Sequence, residues 1–466
     1  MTSDRRLVRW ATTSARVVAG SVVAGAVVVG TVAGIAAPWP TLTATPVRVQ
    51  ATPAPSDTVL ACDGPLLALG RTAEQAGALT AAAGQQVVSG PAGSDATTSA
   101  LSGSTPDGSG DATALRAQPR DGAAAPLAAA GSATATSEDL IGFSASACRT
   151  PLAESWLVAG ASTTGANDLV VLGNPGDVPA TVQLSVYGAQ GVSTPPGGSN
   201  IVVPPGGQRV VPLAGLLLGE ESPVVRVVAS GAPVHASLQA SLTRLLLPGG
   251  VDQVAPSAQA DTRLVIPGVQ ILTAGGSEAG TVLRLLAPGA DATATVTLTP
   301  VGAGAASGAP RQVPLEAGKP TSLDLSGVDA GAYTVEVTAD QPLVGGAWST
   351  TGFGEGADFA WYAPSPAFAV PSAVAVATGA GAALVITAEP GSGDVTATLT
   401  PIDGGEPLTL AVPSGATASL AVAAGVYTLD PGGAVRAAVT YTSTGALAGY
   451  PLWPATSAES AVTVLP

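Results

Sequence analysis

An apolar run, a Pro-Gly break and an alternating run recur three times along this chain, and the recurrence constrains the fold more than any other feature. LVVLGNPGD leads into ATVQLSVYG, VLRLLAPGAD into ATVTLTP, and LVITAEPGSGD into VTATLTP, with the prolines at Pro175, Pro288 and Pro390. Each copy opens on an apolar segment (WLVAGAS, RLVIPGV, FAVPSAV) and later carries a turn-like break, at Gly231-Ala232-Pro233, Asp340-Gln341-Pro342 and Asp430-Pro431-Gly432-Gly433. Alternation of apolar residues marks half-buried strands, and repetition at about 100 residues with frequent turns predicts tandem antiparallel β-sandwiches, Ig-like in size, of six or seven strands each. The residue before the proline varies (Asn174, Ala287, Glu389) while Pro-Gly persists. The break therefore reads as a type II turn, proline fixing one φ and glycine supplying the positive φ that follows, and not as a reactive loop.

Composition supports a mainly β chain. Of 466 residues, 59 are Gly and 40 Pro, only 11% are charged and 3% aromatic, yet 46% are hydrophobic. Abundant Val and Thr with Gly/Pro punctuation favour many short strands, and the apolar content separates the chain from disordered sequences. A net charge of −15 with no basic patch excludes a nucleic-acid partner.

The N-terminus carries a different signal. Arg5, Arg6, Arg9 and Arg16 precede 21 uncharged residues, 17–37, enough to cross a bilayer with the basic tail 1–16 held in the cytoplasm. An uncleaved signal anchor is expected, with a cleaved signal peptide ending near Gly34-Ile35-Ala36 as the competing reading. The expected location is the cell membrane, single-pass, with the bulk outside. Export suits the two cysteines, Cys62 and Cys148, which are expected to form a disulfide because two thiols and one distant histidine are too few for a metal site.

The expected layout continues with a Pro-rich spacer at 38–57 and a first β-sandwich unit at 58–258. Within that unit, 71–138 is so rich in Ala, Gly, Ser and Thr that it reads as a flexible insertion. Second and third sandwich units follow at 259–366 and 367–466, with boundaries open by one strand because the terminal SAVTVLP resembles the strand that opens each unit.

CRTPLAESWLVAG, LVVLGNPGDVPATVQLSVYGAQG, VVPPGGQRVVPLAGL and the GVDQVAPS linker resemble a domain-of-unknown-function family of actinobacterial membrane-anchored or secreted envelope proteins, over roughly Cys62 to the C-terminus. The resemblance implies an exported, mostly β protein. It brings no assigned activity and no catalytic residues.

Few residues invite chemistry, and no enzyme is expected: no catalytic residue, cofactor site or metal site is assigned. His235 is the only histidine, in PVHASLQ, and its equivalents near Val344 and Arg436 are not histidine, so a structural role is expected. Glu220 and Glu221 are adjacent, and Asp177, Asp291 and Asp394 recur after the Pro-Gly break, where aspartate bonds turn backbone. The aromatics of the linkers are the candidate binding residues: Trp361 and Tyr362 in the second, with Trp348 close to them, and Tyr450 and Trp453 in the third. Two readings compete, plugs between consecutive sandwiches or flat surfaces that stack on sugars or anchor a partner. The expected role is a structural or interaction protein of the cell envelope, whose partners are the membrane and either cell-wall polysaccharide or other envelope proteins. The alternative is a carbohydrate-binding module.

Overall fold

In the computed structural model, the described residues are 4–37, 49–51, 55–70, 78–91, 96–103, 105, 110–244, 246–272, 280–304, 306–325, 327–454 and 462–464. They divide into two compact units, Met1–Pro53 with Ala461–Pro466, and Ala54–Ser460.

In the first unit, one helix runs from Asp4 to Ala36, and its Thr13–Ala36 part, with a mean hydropathy of 2.1, is long and apolar enough to cross a membrane. Its hydroxyls do not oppose that reading, since Ser21 and Thr31 donate to the carbonyls of Val17 and Val27 one turn back. Val462–Val464 pairs antiparallel with Val49–Ala51. The terminal strand therefore neither opens nor closes a sandwich, the last sheet of the third being completed by Ala446–Pro451. The rest of the expected spacer, apart from 55–57, lies outside the described residues.

In the second unit the sequence repeat becomes three antiparallel sandwiches of one topology. The strands of the first are Glu154–Leu157, Leu169–Asn174, Ala180–Gly188, the pair Gly191–Ser193 and Ile201–Val203, Gly207–Pro212, Val224–Ser230, His235–Arg244 and Leu247–Val254. Numbered in chain order, with that pair counted as the fourth, strands 1-6-3-4 form one sheet and 5-2-7-8 the other. The same orders recur over Asp261–Tyr362 and Ser372–Pro451. Inward residues of the alternating runs supply each core: Val182, Leu184 and Val186 in the first, Ala294, Val296 and Leu298 in the second, Val395, Ala397 and Leu399 in the third. In the second sandwich, strands 6 and 7 are one continuous strand, Gly331–Thr350, which pairs with Ala294 up to Ala339 and with Leu286 from Val344. The break read at Asp340-Gln341-Pro342 is thus a change of sheet made without leaving the extended conformation.

The Pro-Gly break is not one turn type. Gly391 has a φ of +81°, but Gly176 and Gly289 are absent from the left-handed region. At the first copy the side chain of buried Asn174 organises the turn instead, accepting from Gly176 N at 3.0 Å and donating to the Val178 and Val203 carbonyls.

The expected flexible insertion is largely folded. Five strands, Leu79–Ala83, Gln86–Pro91, Ala96–Leu101, Ala112–Ala117 and Leu127–Thr136, cross 71–138, and residues 71–77, 92–95, 104 and 106–109 lie outside the described residues. With Thr58–Ala61, Leu66–Leu69 and Ile141–Ala147 they make an N-terminal β unit of separate small sheets, so 58–258 holds two bodies and not one sandwich. Small side chains are what its packing requires. Ala128, Ala130 and Ala145 join the third sandwich's core, and a Cβ on Gly90 would fall 2.6 Å from Ile402 Cδ1.

Cys62 and Cys148 are disulfide-bonded across 86 residues and buried. Replacing both with serine is expected to cost about 4.5 kcal/mol by the loop-entropy estimate, read as a lower denaturant midpoint, with the N-terminal strands losing amide protection first.

Candidate functional site

The four β bodies meet at buried polar side chains. Asp358, on the loop before the last strand of the second sandwich, accepts N–H from Phe143 (3.0 Å, N-terminal unit), Leu447 (3.1 Å, third sandwich) and Val251 (3.3 Å, first sandwich). Gly142 and Gly250 make room for it: a Cβ on either would fall 2.7 Å from Asp358 Oδ1. Burial outweighs these donors and pushes the Asp358 carboxyl up to about 7. Beside it, Asp252 accepts from Trp361 N at 2.7 Å.

The outer face of sheet 5-2-7-8 in the first sandwich docks on the N-terminal unit through side chains that alternation places on that face. Gln239 makes a reciprocal pair with the Leu67 backbone (2.7 and 2.8 Å), Gln253 donates to the Gly64 carbonyl and Gln208 to that of Asp63. His235 is buried on the same face with Nε2 2.6 Å from Asp63 Oδ1. Burial opposes the Asp63 charge, but the hydrogen bond from His235 and the nearby charges of His235 and Arg149 hold its carboxyl below the usual range. Between the second and third sandwiches Glu389 bridges Arg263 and Arg436.

Other acidic candidates serve loops. Asp291 accepts from Ala317 N and Asp394 from Ser414 N, so these residues bond the loop before strand 5 and not their own turn. Asp177 lies 3.6 Å from Arg116, and Glu220 accepts from Ala189 N. Among the described residues no cluster of three His, Cys, Asp or Glu side chains stands in metal-binding range.

The aromatics divide. Tyr450 is buried in the third sandwich, its hydroxyl donating to the Ala375 carbonyl. Tyr362 is buried in the second core against Gly449 of the third sandwich. Trp453 is half-buried, with Arg149 5.8 Å above its ring. Trp361, Phe359 and Trp348 belong to the second sandwich but pack on the core of the first.

Trp348 and Trp361 also line a cleft of about 320 Å³ between the first and second sandwiches, a size that suits a small ligand. Sheet register explains the lining. On the outward face of the second sandwich, Val282, Trp348 and Trp361 stand opposite one another on three adjacent strands, and Ser322 pairs with Arg284 in the next row. The first sandwich contributes Asp168, Glu221 and Ser241. Arg284 is only 5% exposed: Nη1 donates to the Gly160 and Pro223 carbonyls (2.9 Å each), Nη2 donates to that of Glu221 (3.1 Å), and the guanidinium lies 4.7 Å from the Trp361 ring. Asp168, 4% exposed, accepts from Ala161 N (2.6 Å) and Ser241 N (2.9 Å), and Gly160, with φ +78°, leaves space where a Cβ would fall 2.4 Å from its Oδ2. Burial pushes the Asp168 carboxyl up to about 7 and the Arg284 guanidinium down to about 9.

A raised carboxyl favours the folded state while protonated. The Asp168 contribution is therefore full below pH 3.8 and lost as pH rises through about 7. Relative to Asp168→Asn, the wild-type chain is expected to lose about 3 kcal/mol between pH 5 and pH 8 in denaturation midpoints converted to free energy. Parallel profiles would contradict the assignment.

Asp168 and Arg284 went unnoticed in the sequence, yet the register offers a signal. At the equivalent strand-2 position the first and third sandwiches carry Val171 and Val385, which pair with strands 5 and 7 as Arg284 does. An arginine on an otherwise apolar face of TVLRLL marks a departure from the repeat.

A model of a family of unknown function, DUF5719, matches residues 103–423, more than half of the chain. The chain belongs to the DUF5719 family. No curated protein matches it. Among solved structures, the crystal structure of chicken CNTN1 FN1-FN3 domains is 12% identical and covers 68% of this chain and 99% of that chain, at a TM-score of 0.10. At that score nothing about this chain follows from the likeness. The cleft and Asp358 lie inside the DUF5719 span, whereas Cys62, Asp63, Tyr450 and Trp453 lie outside it.

Proposed function

We propose that this DUF5719 protein is an exported, non-enzymatic cell-envelope protein, tethered by its N-terminal helix and presenting a rigid four-part β ectodomain to other envelope components. The observation that carries this reading is Asp358, whose carboxylate takes amide hydrogens from three other β bodies and so favours one rigid surface over a string of independent modules. The preceding 24-residue apolar helix segment supports the tether, and the arginines before and at its start support a cytoplasmic N-terminus. In intact cells, a cysteine placed at exposed Leu246 is expected to react with a membrane-impermeant maleimide, and one at Ala11 is expected not to react. The reverse pattern would overturn the orientation. N-terminal sequencing of the mature chain separates an anchor, which keeps Met1, from a cleaved leader.

A second reading, glycan binding, is favoured by the cleft, where Trp348, Trp361 and Phe359 meet Asp168 and Arg284. Flat aromatic faces beside a few fixed polar groups suit a sugar ring.

A further inference from the structure

Arg284 is a buried cation with an unfilled position. Three of its N–H bonds end on backbone carbonyls, but the enclosed Nε has no hydrogen-bond partner, and among the described residues no carboxylate oxygen hydrogen-bonds the guanidinium. The carboxylates that share the cleft do not fill this role: Asp168 has both oxygens on the amides of Ala161 and Ser241, and Glu221 meets Arg284 only through its carbonyl. Asp168 and Glu220 attract this cation without hydrogen-bonding it, but burial outweighs them, and an under-compensated cation in a lined cavity is a place where an anion gains from desolvation already incurred. The same cavity presents the half-buried ring of Trp348 next to the Trp361 ring on which the guanidinium lies, and a flat face beside a cation suits a ring that bears a carboxylate.

We propose that the cleft between the first and second sandwiches takes an acidic sugar residue, its ring against Trp348 and its carboxylate toward Arg284. The inference rests on the glycan reading and adds charge to it. It assigns the second repeat a ligand site that the first and third lack, since Val171 and Val385 stand where Arg284 does.

Full-length protein in detergent micelles, titrated with glucuronate, glucose and acetate at matched ionic strength and followed by saturation-transfer NMR, tests it. Glucuronate is expected to bind on the order of tenfold more tightly than glucose, as for one charge-assisted hydrogen bond, and to exceed acetate by at least as much. Equal binding of glucose and glucuronate would overturn the charge inference while leaving the glycan reading standing. Acetate binding as well as glucuronate would overturn the sugar part, and no binding of any probe would overturn both. Arg284→Gln is expected to bring glucuronate to the level of glucose. Because Arg284 is buried, Trp348→Ala provides the second variant, expected to weaken both sugars about equally; unchanged binding there would place the ring elsewhere and overturn the proposal.

Discussion

Asp358→Ala is expected to loosen all four β bodies at once. The substitution leaves the amides of Phe143, Val251 and Leu447 without an acceptor in a buried site, and each unsatisfied donor costs about 1–3 kcal/mol, so a loss on the order of 5 kcal/mol follows for the junction. Asparagine does not rescue it fully, because its amide hydrogens face N–H groups on one side. Hydrogen exchange reads the effect directly: those three amides, distant in sequence, are expected to lose protection together. Loss of protection at only one of them would mean that the carboxylate serves a single contact.

Trp361→Ala is expected to cost about 3–5 kcal/mol, the range for a buried aromatic cut back to alanine. The indole is 6% exposed and fills the core of the first sandwich although its strand belongs to the second. Its removal also takes away the ring beneath Arg284. Trp453→Ala, at a half-buried site under Arg149, is expected to cost clearly less. Denaturant titration of the two variants gives the comparison, and equal costs would refute the plug role of Trp361.

The repeat carried most of the architecture into view, because alternation and Pro-Gly breaks report strands whose cores are local: Val182, Leu184 and Val186 point inward wherever the partner sheet lies. The N-terminal unit stayed hidden because its burial is not local. Ala128, Ala130 and Ala145 look too small to build a core, and do so only against the third sandwich. The turn at Pro175 departs from type II because Asn174, through its side chain, does the work a left-handed glycine would do. Of the candidate site, Trp348 and Trp361 were legible as aromatics at a repeated junction. Asp168 and Arg284 were not, since their meaning depends on two sandwiches meeting across a cleft.

The central claim is that residues Ala54–Ser460 act as one body and not as beads on a string. Scanning calorimetry of the full chain in detergent micelles tests it most directly. One transition is expected, with calorimetric and van't Hoff enthalpies in agreement, and Asp358→Ala is expected to split it. Separate transitions for the individual sandwiches in the unaltered protein would contradict the claim.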